Sequence, residues 1–238
     1  MVGISSPETL HDLPYGPIGE FYSLHRPEEE MPTVRSVVLA AIPVWDRSFY
    51  LVVDPQARKN YSAAKPSGSA ESYLLDYEIM KNKAWTLVDY LKRRGFESQL
   101  TFRIPLKTAA VKCGLGCQGK SSLLVTPSHG PRVALVSVLT EVELKVDEPF
   151  KDDLCKGCEK CIVSCPTRAI EPYKVRFNRC MVYSAENPGA SDVPSEVREK
   201  EKKLIQRPTP CSFFECTICI DACPIGRSHT YKGKNLIE

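Results

Sequence analysis

Nine of the 11 cysteines lie between Cys155 and Cys223, and residues 1–112 contain none. The first group is Cys155-x2-Cys158-x2-Cys161-x3-Cys165-Pro166. Three thiolates two residues apart fit three corners of a cubane [4Fe–4S] cluster, and a fourth cysteine followed by proline ligates a different cluster. The pattern therefore predicts iron–sulfur binding and one-electron transfer, because zinc more commonly takes paired CxxC units.

A second group, Cys216-x2-Cys219-x3-Cys223-Pro224, has the same design, and Cys211 lies five residues upstream of it. Two such groups related by approximate two-fold symmetry exchange their fourth ligands, so we expect two [4Fe–4S] clusters. The ligands predicted for the first cluster are Cys155, Cys158, Cys161 and Cys223. Those predicted for the second are Cys165, Cys216 and Cys219, with either Cys180 or Cys211.

Residues 114–121, GLGCQGKS, form a glycine-bearing turn. The turn matches the P-loop pattern GxxxxGK[ST], which requires a strand before it and a helix after it. Here a helix is predicted from Pro105 to about Lys112, and Leu123–Thr126 is predicted to be a strand. The order is inverted, so we do not expect nucleoside triphosphate binding.

The elements that position these motifs can be read from apolar periodicity. Short runs rich in Val and Ile predict strands at Arg35–Val44 and Val133–Leu144. An apolar stripe from Tyr73 to Leu91, stopped by Gly95, predicts a long helix. Residues 54–70 are predicted to be a loop in which Ser69 caps that helix, and Glu196–Gln206 a charged helix with a solvated face.

Composition restricts the class of protein. The chain has 238 residues, 42% of them hydrophobic, and a net charge of +3, which excludes a disordered chain. Its apolar runs are far shorter than the ~20 residues of a membrane span. No export signal is readable, so we expect a cytoplasmic protein. The cysteine distribution predicts two domains, 1–148 and 149–238.

The glycine turn, the strand that ends in Thr140-Glu141 and the two cysteine groups resemble, in that order, the epoxyqueuosine reductase and reductive dehalogenase superfamily. The resemblance covers residues 105–225 well. It implies an α+β fold, with a nitroreductase-like α/β domain followed by a two-[4Fe–4S] ferredoxin-like domain. The segment Arg179-Cys180-Met181-Val182-Tyr183 is similar to the superfamily's Arg-Cys-x-x-Tyr, and this similarity favours Cys180 over Cys211 as the eighth ligand.

The resemblance also implies a corrinoid (cobalamin) in the first domain, with FMN as the less favoured alternative. Glycines in the turn would let backbone N–H groups approach the corrin, which a Cβ would block. The cofactor contacts carried over by position are Gly114, Gly116, Cys117, Gly119, Lys120 and Ser121. Taken by themselves, Cys113 is expected to be a small buried hydrophobe and Cys117 to line a pocket.

The expected function is a cytoplasmic, corrinoid-dependent iron–sulfur reductase of a small substrate, supplied with electrons by ferredoxin or flavodoxin. The alternative is an electron-transfer or activator protein that reduces a partner's corrinoid. The sequence lacks the superfamily's Asp-x-x-Pro acid and its C-terminal helical-repeat domain, so neither epoxyqueuosine reduction nor a nucleic-acid partner is expected. Four tyrosines are considered as proton donors, of which the last two are expected to pack in the core: Tyr50, Tyr61, Tyr73 and Tyr77.

Overall fold

A computed structural model describes residues 1–18, 22–44, 46–53, 73–210 and 212–227. Its helices are α1 (Pro27–Glu30), α2 (Leu75–Lys92), α3 (Leu106–Lys112), α4 (Lys160–Ser164), α5 (Met181–Glu186), α6 (Ser195–Leu204) and α7 (Ile218–Ala222). Its strands are β1 (Val2–Ser5), β2 (Gly16–Ile18), β3 (Tyr22–Leu24), β4 (Ser36–Pro43), β5 (Leu51–Val53), β6 (Tyr73–Leu74), β7 (Ser98–Thr101), β8 (Cys117–Gln118), β9 (Leu124–Val125), β10 (Val133–Thr140), β11 (Ile170–Glu171), β12 (Lys174–Val175) and β13 (Ser212–Phe214).

The main sheet has four strands in the order β1-β4-β10-β7, and each pair is antiparallel. The side chains of the two long strands, β4 and β10, alternate between two hydrophobic cores, because successive side chains of a strand point to opposite faces. Leu39 and Leu139 enter one core with Ala109 and Ala110 of α3. The neighbouring strand residues enter a second core with Met80, Ala84 and Val88 of α2. One helix thus covers each face of the sheet.

The predicted elements of this part are confirmed with small changes of boundary. The strand expected at Arg35–Val44 is β4, and the strand expected at Val133–Leu144 ends four residues early, at Thr140. The long helix is α2, and Gly95 follows it with a φ of +85°. The predicted loop 54–70, its capping Ser69 and Tyr61 lie outside the described residues.

A second sheet crosses the predicted domain boundary between residues 148 and 149. Its order is β13-β5-β6, so a strand of the cysteine-rich part pairs with one from the first part. Val52 and Phe213 are fully buried there, in one core with Met181 and Ala185. The two parts therefore share a hydrophobic core.

The fold combines α and β structure as predicted, whereas the nitroreductase-like topology of the first part stays a prediction. The charged helix expected at Glu196–Gln206 is α6, Ser195–Leu204. Across the described ranges, no helix is both long enough and apolar enough to cross a membrane.

Candidate iron–sulfur site

The two cysteine groups fold in the same way. α4 carries Cys161 and ends at Cys165, and α7 carries Cys219 and ends at Cys223. Each helix is five residues long, and the proline after its last cysteine stops it. The two helices pack against each other. This pairing brings the last cysteine of each group toward the other group.

The first set of thiols surrounds one partly open cavity of about 70 Å³. Cys223, from the second group, joins Cys155, Cys158 and Cys161, which all come from the first. The rest of the wall is formed by Ser121, Val125, Leu154, Pro224 and Ile225. The cavity therefore contains the four thiols that the spacing predicts for the first cluster.

Electrostatics agree with this grouping. Burial, and after it the negative charge of Cys155, raises the pKa of Cys161. Burial also raises the pKa of the Cys223 thiol, the charges of Cys155 and Cys158 add to this, and the guanidinium of Arg132 opposes it. Thiols whose negative charges raise one another's pKa values lie close together.

Cys165, Cys180, Cys216 and Cys219 lie near one another, since their charges act on one another. Burial, followed by the charges of Cys216, Cys180, Cys165 and, least, Cys161 of the first set, raises the pKa of Cys219 to about 12. Burial also raises the pKa of Cys216 to about 11, with Cys180 and Cys165 again adding to it. Cys211, the other candidate for the eighth ligand, lies outside the described residues.

These two sets fit the chemistry of an iron–sulfur cluster. Four wholly or partly buried thiols that repel one another as thiolates are stabilised by a cationic iron core, which releases their protons on binding. The backbone N–H of Ala169 donates to Cys165 Sγ at 3.3 Å. Such bonds stabilise the negative charge on cluster sulfurs.

The glycine turn lies against the first set. A Cβ on Gly116 would be 2.2 Å from the carbonyl oxygen of Val125, and one on Gly119 would be 2.5 Å from Val125 Cγ2 and 3.5 Å from Cys155 Sγ. Gly114 has a φ of +76°, and its Cβ would be 2.6 Å from the carbonyl oxygen of Glu148. Contacts within the chain thus require all three glycines.

This turn offers little of the cradle expected for a corrin. The N–H groups of Gly114, Leu115 and Gly119 all donate to carbonyl groups of the chain itself. Ser121 lines the thiol cavity, and Lys120 Nζ lies 4.0 Å from Glu159 Oε1. The corrin contacts expected in this turn therefore stay a prediction. The hydrogen bonds of the turn and the pairing of Lys120 with Glu159 do not support them. The P-loop reading fails as expected, since α3 precedes the turn and β9 follows it.

Among the described residues two further thiols, Cys113 and Cys117, are buried, as expected. Cys113 is 2% exposed in the core beneath β1, and burial raises its pKa to about 12. Cys117 is 8% exposed and packs with Val125 and Cys155. Cys117 therefore forms part of the wall behind the first set.

A cluster of titratable groups lies beside the second set. Lys107 reaches solvent there, yet the protein around it lowers its pKa, and the charges of Cys180 and Cys219 act in the opposite direction. Burial is the main cause that raises the pKa of three carboxyl groups, and their mutual repulsion adds to the shift in the last two. They are Asp76, to about 6, Glu186, to about 7, and Glu215, to about 8.

Sequence reasoning named tyrosines rather than these carboxyl groups. Tyr50 is nearby, and burial raises its pKa above the usual range, with Asp221 and Glu215 adding to the effect. Tyr77 packs its ring 4.6 Å from that of Phe102, as expected of a core residue. Asp76, Glu186 and Glu215 are far apart along the chain, so only the tertiary fold reveals them as a cluster.

The raised pKa of Glu186 gives a test of this cluster of carboxyl groups. Its pKa in the folded protein is about 7, above the ordinary 4.5. Its contribution to stability is therefore full below about pH 4.5 and is lost as the pH rises through about 7. Glu186→Gln should raise the melting temperature more at pH 8 than at pH 5, by about 4–8 °C. The exposed Glu199→Gln on α6 is the control, and an equal gain at both pH values would contradict the assignment.

Comparison with known proteins gives one family and two groups of relatives. Residues 149–171 match the 4Fe-4S binding domain family. Over 183 residues the chain is 34% identical to the epoxyqueuosine reductase of Synechococcus sp. strain CC9605, and over 161 residues it is 24% identical to that of Bacillus subtilis. These alignments cover 76% and 65% of this chain but only 47% and 39% of the relatives.

Solved structures show a shared fold. An epoxyqueuosine reductase bound to a tRNA stem loop aligns with a TM-score of 0.66 and 20% identity, over 95% of this chain and 61% of that one. A catabolic reductive dehalogenase in complex with 3-bromo-4-hydroxybenzoic acid aligns with a TM-score of 0.57 and 17% identity, over 97% and 30%. The resemblance read from the motifs is confirmed for the epoxyqueuosine reductases by the curated relatives, and with the reductive dehalogenases the chain shares the fold.

Proposed function

We propose that this chain, a relative of epoxyqueuosine reductases and reductive dehalogenases, is an iron–sulfur reductase that binds two [4Fe–4S] clusters and reduces a small molecule beside Cys180 and Cys219. The single observation that carries the proposal is the meeting of Cys223 with Cys155, Cys158 and Cys161 around one cavity. The relatives bear names of reductases, which favours this function over an activator protein without a substrate of its own.

The thiolates divide between two clusters. We assign Cys155, Cys158, Cys161 and Cys223 to the first cluster. We assign Cys165, Cys180, Cys216 and Cys219 to the second. When bound, the clusters supply one-electron transfer. The chain partly buries the thiolates, donates the N–H of Ala169 to Cys165 Sγ and packs α4 against α7, so that the two sets are neighbours.

Reduction of a small molecule also consumes protons. Glu186 and Glu215 hold protons close to neutral pH, because burial and mutual repulsion raise their pKa values. A carboxyl group whose pKa lies near the working pH is an effective proton donor. We assign proton delivery to these carboxyl groups rather than to the tyrosines.

The relatives suggest a corrinoid as the additional cofactor, since one reductive dehalogenase is described as performing B12-dependent dehalogenation. Nothing observed supports FMN. The electron donor is proposed to be a ferredoxin or flavodoxin. The expectation that nucleic acid is not a partner has no support, because one similar protein binds a tRNA stem loop.

Anaerobic purification tests the proposal. The loaded chain should contain about eight iron and eight sulfide. The loaded chain should change the visible spectrum of added cobalamin on binding. The visible spectrum of added FMN should not change. Iron and sulfide counts well below eight would refute the two clusters, and an unchanged cobalamin spectrum would refute the corrinoid.

A further inference from the structure

Arg132 links the main sheet to the second cysteine group. It immediately precedes β10 and is 6% exposed. Its Nη1 donates to the carbonyl oxygen of Ile225 at 2.8 Å, and its Nη2 donates to those of Ile220 at 2.8 Å and Cys223 at 2.9 Å. One guanidinium thus holds the end of α7 and the backbone of Cys223 itself.

The turn before Arg132 contacts the same segment, backbone against backbone. A Cβ on Gly130 would lie 2.2 Å from the carbonyl oxygen of Ile225, and one on Gly226 would lie 2.1 Å from the carbonyl carbon of His129. Both glycines also have positive φ, +57° and +72°. The segment after Cys223 is therefore fixed against the sheet side by contact as well as by hydrogen bonds.

The position of the charge matters as much as the hydrogen bonds. The guanidinium is always protonated, and in a buried site its field is weakly screened. A positive charge next to Cys223 favours the more negative, reduced state of a cluster bound there. Burial and local charge are among the factors that set cluster potentials.

We propose that Arg132 is a positioning residue of the first cluster, which holds Cys223 in the cavity from the sheet side and makes the cluster easier to reduce. This inference rests on the proposed function. It adds a residue that lies outside both cysteine groups and whose effect is specific to one of the two clusters.

Two substitutions separate the hydrogen bonds from the charge. Arg132→Met removes both, whereas Arg132→Lys keeps the charge and loses the planar fork of donors. Iron and sulfide are counted in the anaerobically purified full chain, and both clusters are titrated by EPR, with Cys158→Ala identifying the first cluster's signal. Arg132→Met should shift the reduction equilibrium of the first cluster about tenfold toward the oxidised form, which is about 59 mV for one electron. Arg132→Lys should keep the reduction equilibrium of the first cluster close to that of the unsubstituted protein.

Loss of about four iron in Arg132→Met, with the second cluster's signal intact, would equally support the positioning role. In that case the potential of Arg132→Lys decides the role of the charge: a value near that of the unsubstituted protein supports it, and a shift of about tenfold overturns it. Eight iron and two unchanged potentials in Arg132→Met would overturn the whole inference.

Arg198 provides a matched control. Its guanidinium also donates to backbone carbonyls, those of Asn187 at 2.8 Å and Ala190 at 3.0 Å, but to none in the first cavity. Arg198→Met should lower the melting temperature and leave the first cluster unchanged. An equal shift in this variant would overturn the proposal by showing a general effect. Fewer than eight iron in the unsubstituted protein would refute the proposed function instead.

Discussion

Replacing Cys158 and Cys165 together by alanine is expected to remove about eight iron, although both belong to the same sequence motif. Cys158 lines the cavity that contains Cys223, whereas Cys165 interacts with Cys180, Cys216 and Cys219. Each single substitution should therefore cost about four iron from a different cluster. Replacing Cys158 and Cys223 together should cost only about four, because both belong to one cluster.

Iron and sulfide analysis of anaerobically purified variants distinguishes this arrangement from assembly motif by motif. If each motif held its own cluster, the first double variant would lose four iron and the second would lose eight, the reverse of our expectation. Cys113→Ala is the control, because this buried thiol lies beneath β1, away from both sets. It should retain the full iron content.

The meeting of Cys223 with the first cysteine group was predictable from sequence because the spacing of cysteines is a local signal. The last cysteine of each group follows a five-residue helix, and the two helices pack against each other. The long elements were predictable for the same reason. β4, β10 and α2 each extend over two or more turns or alternations of apolar side chains.

The parts that sequence reasoning missed depend on contacts between distant segments. β5 and β13 have three residues each, too few for periodicity, so the sheet that joins the two parts left no pattern to read. In the sequence Arg132 is an ordinary residue after a turn, and only the fold places it against Cys223. Loop closure between such distant residues is set by the whole core rather than by the local sequence.

The glycine turn shows how one motif can be explained by two different physical causes. Sequence reasoning expected its glycines to make room for a corrin. The structure fills the space beside Gly116 with the backbone of Val125, a residue that lines the thiol cavity. The glycine therefore matters to the protein even when no corrinoid is present, and this difference can be measured.

Gly116→Ala should destabilise the chain by about 3 kcal/mol or more in protein purified without corrinoid, because the added methyl would meet a backbone atom that side-chain rotation cannot move. Since Val125 must shift, the first cluster should also lose iron. Gly189→Ala, where a Cβ meets nothing within 4 Å, should change stability by no more than about 0.5 kcal/mol. Denaturant unfolding and iron analysis of both variants decide between the two reasons. If Gly116→Ala keeps full stability and iron but loses cobalamin binding, the glycine serves the cofactor and the packing argument is wrong.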